Sequence, residues 1–168
     1  LLAAQELRYR CFKLSNDKCL DVDCFDPICR HVLIENLDNG KLICCYRFMY
    51  FADGKDITRS YSSQFYDLAS IKKYPKPMIE VGRFCIDPVM TDQEVILTAW
   101  AALTQLVDKN GVEFLFGCSS FEGTDKEKYL HCFALLREKY IAPEHWRPKT
   151  KASKVINYSE GMSCNCLL

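Results

Sequence analysis

Met78-Ile-Glu-Val-Gly-Arg-Phe-Cys-Ile86, the helical run that follows it, and Val112-Glu-Phe-Leu-Phe-Gly-Cys118 decide the fold. The first stretch is apolar, rich in strand-forming residues and closed by Asp87-Pro88, so it reads as a strand. Val95, Ile96, Ala99, Leu103, Leu106 and Val107 recur at helical spacing and mark one face of a helix that ends at Gly111. Val112 to Cys118 reads as a short buried strand. Strand, helix and strand in that order predict a parallel pair joined by a right-handed crossover.

Working outward, His31 to Glu35 and Lys41 to Phe51 read as antiparallel strands joined by a tight turn at Asp38-Asn-Gly40. Leu2, Ala3, Leu7, Cys11 and Phe12 have helical spacing, with Glu6, Arg8 and Arg10 between them. An acidic, weakly periodic loop covers Ser15 to Arg30. Ala52 to Pro77 reads as loops anchored by Phe65, Tyr66 and Leu68. A further helix is predicted over Lys126 to Tyr140, with an extended piece after Trp146. Together these elements predict an α/β (α+β) fold, a mixed central sheet flanked by helices on both faces, in one domain over residues 1–168. The chain opens at Leu1 inside a helix, so a gene product extending further upstream is expected.

Formal net charge is zero, which gives no global argument for nucleic acid. The charge is nevertheless segregated. Asp17, Asp21, Asp23, Asp26, Glu35 and Asp38 face only Lys18 and Arg30, whereas bases outnumber acids from Asp125 to Lys154. That pattern suits a cation at one end and an acidic partner at the other, or two solvated faces. The 11 cysteines form no CxxC pair, and Cys85 and Cys118 sit in predicted strands, so reduced thiols are expected. Cys19, Cys24 and Cys29 do not have zinc spacing, and no metal site is expected. Cys164 and Cys166 do not form a prenylation box. With no secretory signature and no apolar run near 18 residues, a cytoplasmic protein is expected, a peripheral contact at the inner membrane being left open.

Four features carry chemistry. Asp21, Asp23 and Asp26 form an acidic cluster before the first strand, and Arg47 is a charge inside an apolar strand. Glu80 and Arg83 lie in the middle of another strand, on opposite faces unless Gly82 creates a bulge. Ser119 and Ser120 follow the strand ending at Cys118. A buried carboxylate must meet a cation, a substrate or water. Glu80 is therefore either an ion-pair partner of Arg47 or a general base for an amine. The acidic cluster either holds a cationic substrate or is a solvated loop. Ser119 and Ser120 either serve a leaving thiolate or cap a helix. No Gly-x-Ser-x-Gly elbow occurs, and Cys118 with His131 reads as an inert buried thiol rather than a nucleophile.

A family likeness runs from Leu2 to about Lys154. It is carried by Leu7-Arg-Tyr-Arg10-Cys-Phe12, Asp21-Val-Asp23-Cys-Phe-Asp26, Cys29-Arg-His31, Gly40 to Arg47, and Glu80-Val-Gly-Arg83-Phe-Cys-Ile86. Phe116-Gly-Cys-Ser-Ser-Phe-Glu-Gly-Thr-Asp125, Tyr129-Leu-His131 and Ala142-Pro-Glu-His-Trp-Arg147 complete it. These runs resemble the ornithine N-acyltransferases that make lyso-ornithine lipid in bacteria, relatives of the acyl-homoserine lactone synthases within the GNAT fold.

The resemblance implies direct transfer of an acyl group, often 3-hydroxyacyl, from acyl carrier protein to the amine of ornithine or a similar amino acid. No permanently bound cofactor is implied; the carrier's phosphopantetheine thioester is a co-substrate. A V-shaped splay between two central strands would take the pantetheine arm. Arg10, Phe12, Asp23, Asp26, Arg47, Glu80 and Arg83 match positions that the wider family uses around its substrate. Arg10 and Arg47 would orient a carboxylate or the acyl carbonyl, Asp23 and Asp26 would hold the ammonium, and Glu80 would take the amine's proton. Ser119 would donate to the leaving thiolate, and backbone N–H groups at Phe84, Cys85 and Ile86 would stabilise the oxyanion. Lys149 and Lys151 would dock the acidic carrier. Val89-Met-Thr-Asp-Gln93 has no glycine or arginine, unlike the turn that cradles coenzyme A, and departs from the Tyr-Arg usual in ornithine acyltransferases at Val89-Met90. The alternatives are a lactone synthase, or a non-catalytic domain that binds acyl carrier protein or acyl chains.

Overall fold

The tight turn at Asp38-Asn-Gly40 sets the first register. Gly40 has a positive φ of 65°, a conformation glycine adopts without a Cβ clash, and Gly40 N–H donates to the Asn36 carbonyl at 2.8 Å. Strands β1 (Arg30–Glu35) and β2 (Leu42–Phe51) therefore pair antiparallel. The computed structural model describes residues 1–13, 19–90, 93–123 and 125–155. Ser15, Asp17, Lys18, Thr91, Asp92, Thr124, Cys164 and Cys166 lie outside the described residues.

β2 pairs on its other side with β4 (Met78–Ile86), and β4 pairs in parallel with β5 (Phe114–Phe116), giving the order β1-β2-β4-β5. The crossover from β4 to β5 is α2 (Gln93–Asn110), as the periodicity predicts. Alternation along β2 separates two layers. Cys45 packs with Ala4 and Leu7 of α1 (Leu2–Lys13), whereas Cys44 and Tyr46 pack with Val95, Ala99 and Leu103 of α2. Helices thus cover both faces. No described helix is long and apolar enough to cross a membrane, and each cysteine among the described residues is a free thiol.

Three elements differ from their sequence expectation. β5 is three residues long, Phe114–Phe116, rather than Val112 to Cys118, since its pairing with β4 runs only from Met78–Phe114 to Glu80–Phe116. The Ala52–Pro77 region is not plain loop. It holds 3₁₀ turns at Gly54–Arg59 and Ser62–Gln64 and a short β3 (Tyr66–Asp67). Of its predicted anchors only Leu68 is buried; Ile57 and Ile71 join it, while Phe65 and Tyr66 are exposed at the β3 edge. The helix expected from Lys126 is a 3₁₀ turn, Lys126–Tyr129, followed by α3 (Leu130–Lys139). The extended piece after Trp146 is β6 (Lys149–Thr150), paired antiparallel with β3.

The sheet carries one irregularity that shapes the site. Cys45 faces Cys85 but Arg47 faces Gly82, so β4 holds one more residue than β2 across this span. The bulge falls at Arg83 and Phe84, and Arg83, not Gly82, adopts the positive φ of 53°. A non-glycine residue there costs about 1 kcal/mol or more. Its effect is to bring Arg83 to the face that carries Glu80 and Arg47, while Phe84 stacks on Tyr46 on the other face at 5.4 Å.

Candidate active site

β4 and β5 pair at Met78–Phe114, Ile79–Leu115 and Glu80–Phe116, and there the pairing ends. Gly117 still lies against the Val81 carbonyl: a Cβ at this position would sit 2.1 Å from that oxygen, so only glycine fits. Past this contact the strands part around a cavity of about 730 Å³. Phe48, Phe84, Ile96, Trp100 and Leu103 give it an apolar half toward α2. Phe12, Arg47, Tyr61, Glu80 and Arg83 give it a charged and aromatic half toward α1, and Gly117 to Ser120 form a wall.

Behind the charged half is a buried network. Arg47, 3% exposed, donates from Nη1 to Asp23 Oδ1 and Asp26 Oδ1 and from Nη2 to Asp23 Oδ2, each at 2.6 Å. Arg8, 1% exposed, places Nη1 and Nη2 2.8 Å from the two oxygens of Asp26 and Nε 3.0 Å from Asp21 Oδ2. It also bonds the Asp21 carbonyl. Gln5 Nε2 adds a fourth donor to Asp26 at 2.9 Å. Arg83 Nη2 reaches Asp23 Oδ2 at 3.3 Å, and its Nε lies 2.9 Å from Asp21 Oδ2, an ion-pair contact without hydrogen-bond geometry. Its guanidinium also sits over Phe12 and Tyr61. Three arginines thus meet three aspartates, and the cluster is neutral within itself.

That neutrality is the condition for burying Arg8, Asp26 and Arg47 and half-burying the other three charges. Burial pushes the Asp26 carboxyl up, but hydrogen bonds from Arg8, Gln5 and Arg47 outweigh it and hold the carboxyl well below the usual range. Asp23 is lowered in the same way, burial being opposed chiefly by Arg47. Burial works to lower the pKa of Arg47, yet bonds and charge from Asp23 and Asp26 raise it. The solvated-loop reading of the acidic cluster does not hold, since Asp26 is 4% exposed.

Glu80 is 5% exposed and meets no guanidinium. Oε2 accepts from Tyr61 N–H at 2.8 Å; Oε1 accepts from Ser62 N–H at 2.7 Å and from Ser62 Oγ at 2.6 Å. The ion pair with Arg47 is therefore replaced by three neutral donors, because Arg47 is engaged by Asp23 and Asp26. Cys118 Sγ lies 3.3 Å from Ser62 Oγ. Burial pushes its thiol up and the Glu80 charge adds to this, which disfavours a thiolate nucleophile.

Of the residues singled out in the sequence, Phe12, Arg47, Glu80, Arg83, Phe84 and Ser119 line the cavity. Asp23 and Asp26 stand behind Arg47. Arg10 is elsewhere: its Nη2 is 3.3 Å from Asp87 Oδ2, which Lys41 also contacts at 2.9 Å. Cys85 is buried against Cys45 at 3.5 Å, and the Ile86 carbonyl accepts from Cys11 Sγ at 3.2 Å. Both lie outside the cavity wall. Ser119 and Ser120 cap no helix; the next turn begins at Lys126 and its cap is Asp125. Lys149 is exposed in β6, whereas Lys151 Nζ donates to the Ser63 carbonyl at 2.6 Å. Sequence reasoning missed Arg8, Gln5, Tyr61 and Ser62. Arg8 had a signal, since it precedes Phe12 by one helical turn and so shares its face.

The family described as "Acetyltransferase (GNAT) domain" matches residues 6–101. The L-ornithine N(alpha)-acyltransferase of Rhodobacter capsulatus is 30% identical, covering 89% of this chain and 63% of the relative. That of Brucella abortus is 25% identical, covering 86% and 57%. The chain therefore spans about three fifths of the length of these curated relatives. The crystal structure of the AHL synthase LasI superimposes with a TM-score of 0.51 at 20% identity, over 70% of this chain and 63% of that one, a likeness of fold.

Proposed function

The chain belongs to the GNAT acetyltransferase domain family, and from that premise we propose that it is an N-acyltransferase that moves an acyl group, 3-hydroxyacyl in kind, from acyl carrier protein to the amine of ornithine or a similar amino acid. The observation that carries this reading is the cavity at the parting of β4 and β5, where a carboxylate held by neutral donors faces an apolar slot. The relatives named as ornithine acyltransferases support the acceptor.

In this reading the thioester carbonyl lies at the parting of the strands and the amine attacks it. Glu80 takes the amine's proton, directly or through water. A backbone N–H of the Arg83–Phe84 bulge, outside the β2–β4 ladder, stabilises the oxyanion. The carbon–sulfur bond breaks, the amide remains, and Ser119 donates to the departing thiolate. Cys85 and Ile86, back in register with β2 and away from the cavity, have no part in the step. Arg83, the more exposed of the two lining arginines, orients the acceptor's carboxylate. Asp23 and Asp26 act through Arg47 and Arg83 rather than on the substrate ammonium, because guanidinium groups fill their oxygens. Acyl carrier protein is favoured over coenzyme A by the glycine-free turn at Val89 and by basic residues such as Lys149.

The test is to incubate the purified chain with labelled acyl-acyl carrier protein and either ornithine or S-adenosylmethionine. Labelled acyl-ornithine is the expected product. An acyl-homoserine lactone, or carrier binding without any product, would overturn the proposal.

A further inference from the structure

We infer that Ser62 is a positioning residue that fixes the Glu80 carboxylate and leaves it a single acceptor position for the substrate's proton. The inference rests on the proposed role of Glu80 as proton acceptor.

Three serines lie buried in one short loop, and their hydroxyls behave differently. Ser60 Oγ donates to the Ile57 carbonyl at 2.6 Å, and Ser63 Oγ lies 2.7 Å from the carbonyls of Thr58 and Ser60. Those two close the loop on itself. Ser62, 4% exposed, instead sends its hydroxyl out of the loop to the β4 carboxylate. A hydroxyl has one proton to give, and an ionised carboxylate only accepts. The Ser62 proton therefore points at Glu80 Oε1, and the Ser62 oxygen can only accept from Cys118. The polarity runs one way, from Cys118 S–H to Ser62 O–H to Glu80.

The same arrangement fixes where a further proton can arrive. A carboxylate offers roughly four lone-pair positions. Oε1 is filled by the Ser62 amide and hydroxyl, and among the described residues Oε2 holds only the Tyr61 amide. The remaining position is on Oε2. Without the hydroxyl, Oε1 also becomes open, the carboxylate loses one of its two fixing contacts on that side, and productive alignment is diluted.

Steady-state kinetics on Ser62→Ala, Ser62→Thr, Glu80→Gln and the Ser62→Ala/Glu80→Gln pair test this. Ser62→Ala is expected to lower kcat about tenfold, as loss of one bond to a charged group does, with KM for both substrates within about twofold. Ser62→Thr, which keeps the hydroxyl, should recover most of the loss. The double variant should be no slower than Glu80→Gln alone, since residues acting as a unit are non-additive. A rise in KM without a fall in kcat, or a Ser62→Ala loss that multiplies onto Glu80→Gln, overturns the inference while leaving Glu80 in its role. Near wild-type turnover in Glu80→Gln overturns the Glu80 reading and this inference with it. If Ser62→Ala does not fold, Ser62→Cys, close in size and a weak donor, should show the same kcat loss; full turnover in it overturns the inference.

Discussion

Two sets of buried or half-buried carboxylates lie over the same face of the sheet and are satisfied in opposite ways. Asp21, Asp23 and Asp26 meet Arg8, Arg47 and Arg83, cation against anion. Glu80 meets two backbone amides and a hydroxyl and, among the described residues, no cation. Protonating Asp26 would leave two guanidinium groups short of a partner. A carboxylate built into an ion cluster is thus tied to its cations and suited to hold a shape, whereas one held by neutral donors is fixed in place without a cation occupying it.

The comparison breaks most visibly at Arg47. Arg47→Met should leave the cluster one positive charge short, with Asp26 holding only Arg8 and Asp23 only Arg83 as cations, and lose about 3–5 kcal/mol of stability, measured by urea unfolding. An unchanged midpoint would mean that the cluster does not support the fold. Glu80→Gln should cost less stability, about 1–3 kcal/mol because one buried backbone N–H loses its acceptor, but lower kcat by about 10²-fold or more. Acid lability sharpens the contrast. Asp26 is depressed in the folded state, so the unfolded chain binds its proton first, near pH 3.9. The stability it provides is complete above that value and is lost as pH falls toward the folded-state pKa. The wild type's unfolding free energy should therefore drop from about pH 5 downward, and Asp26→Asn should follow a flatter acid slope. The smallest effect concerns the carrier protein. Lys149→Glu should slow reaction with acyl-acyl carrier protein a few-fold at low salt and hardly at high salt, with the acyl-coenzyme A rate unchanged. Lys151 is unsuited to this test, because reversing it also breaks its bond to Ser63.

Most of the scaffold was legible because burial imposes a period. The β4–α2–β5 crossover follows from helical spacing between two apolar runs, and the β1–β2 hairpin from its turn. The site was legible only by type. The acids before β1, Arg47 and the Glu80–Arg83 pair are visible as charges in apolar or clustered settings, but sequence does not say which acid takes which base. Arg10 and Arg8 differ in helical phase alone, and Phe12 is the reference that selects Arg8. Gly82 was the natural place for a bulge, yet the positive φ falls on Arg83, where two aspartates and two aromatic rings hold the side chain. Ser62 lies in a stretch with no period, and its significance comes from a strand met only in three dimensions.

The bond from Lys151 to the Ser63 carbonyl spans 88 residues. It is joined by Ala152 N–H on the Phe65 carbonyl at 3.0 Å and by the β3–β6 pairing. A chain emerging from the ribosome at about 5–20 residues per second makes the β1–β2 hairpin and the β4 strand several seconds before Lys151 appears. The sheet can assemble in that interval, while the loop bearing Ser62 still lacks its last fastening. A chain ending between residues 120 and 145 would therefore contain all four strands of the main sheet and yet lack the segment that fastens the loop beside Glu80.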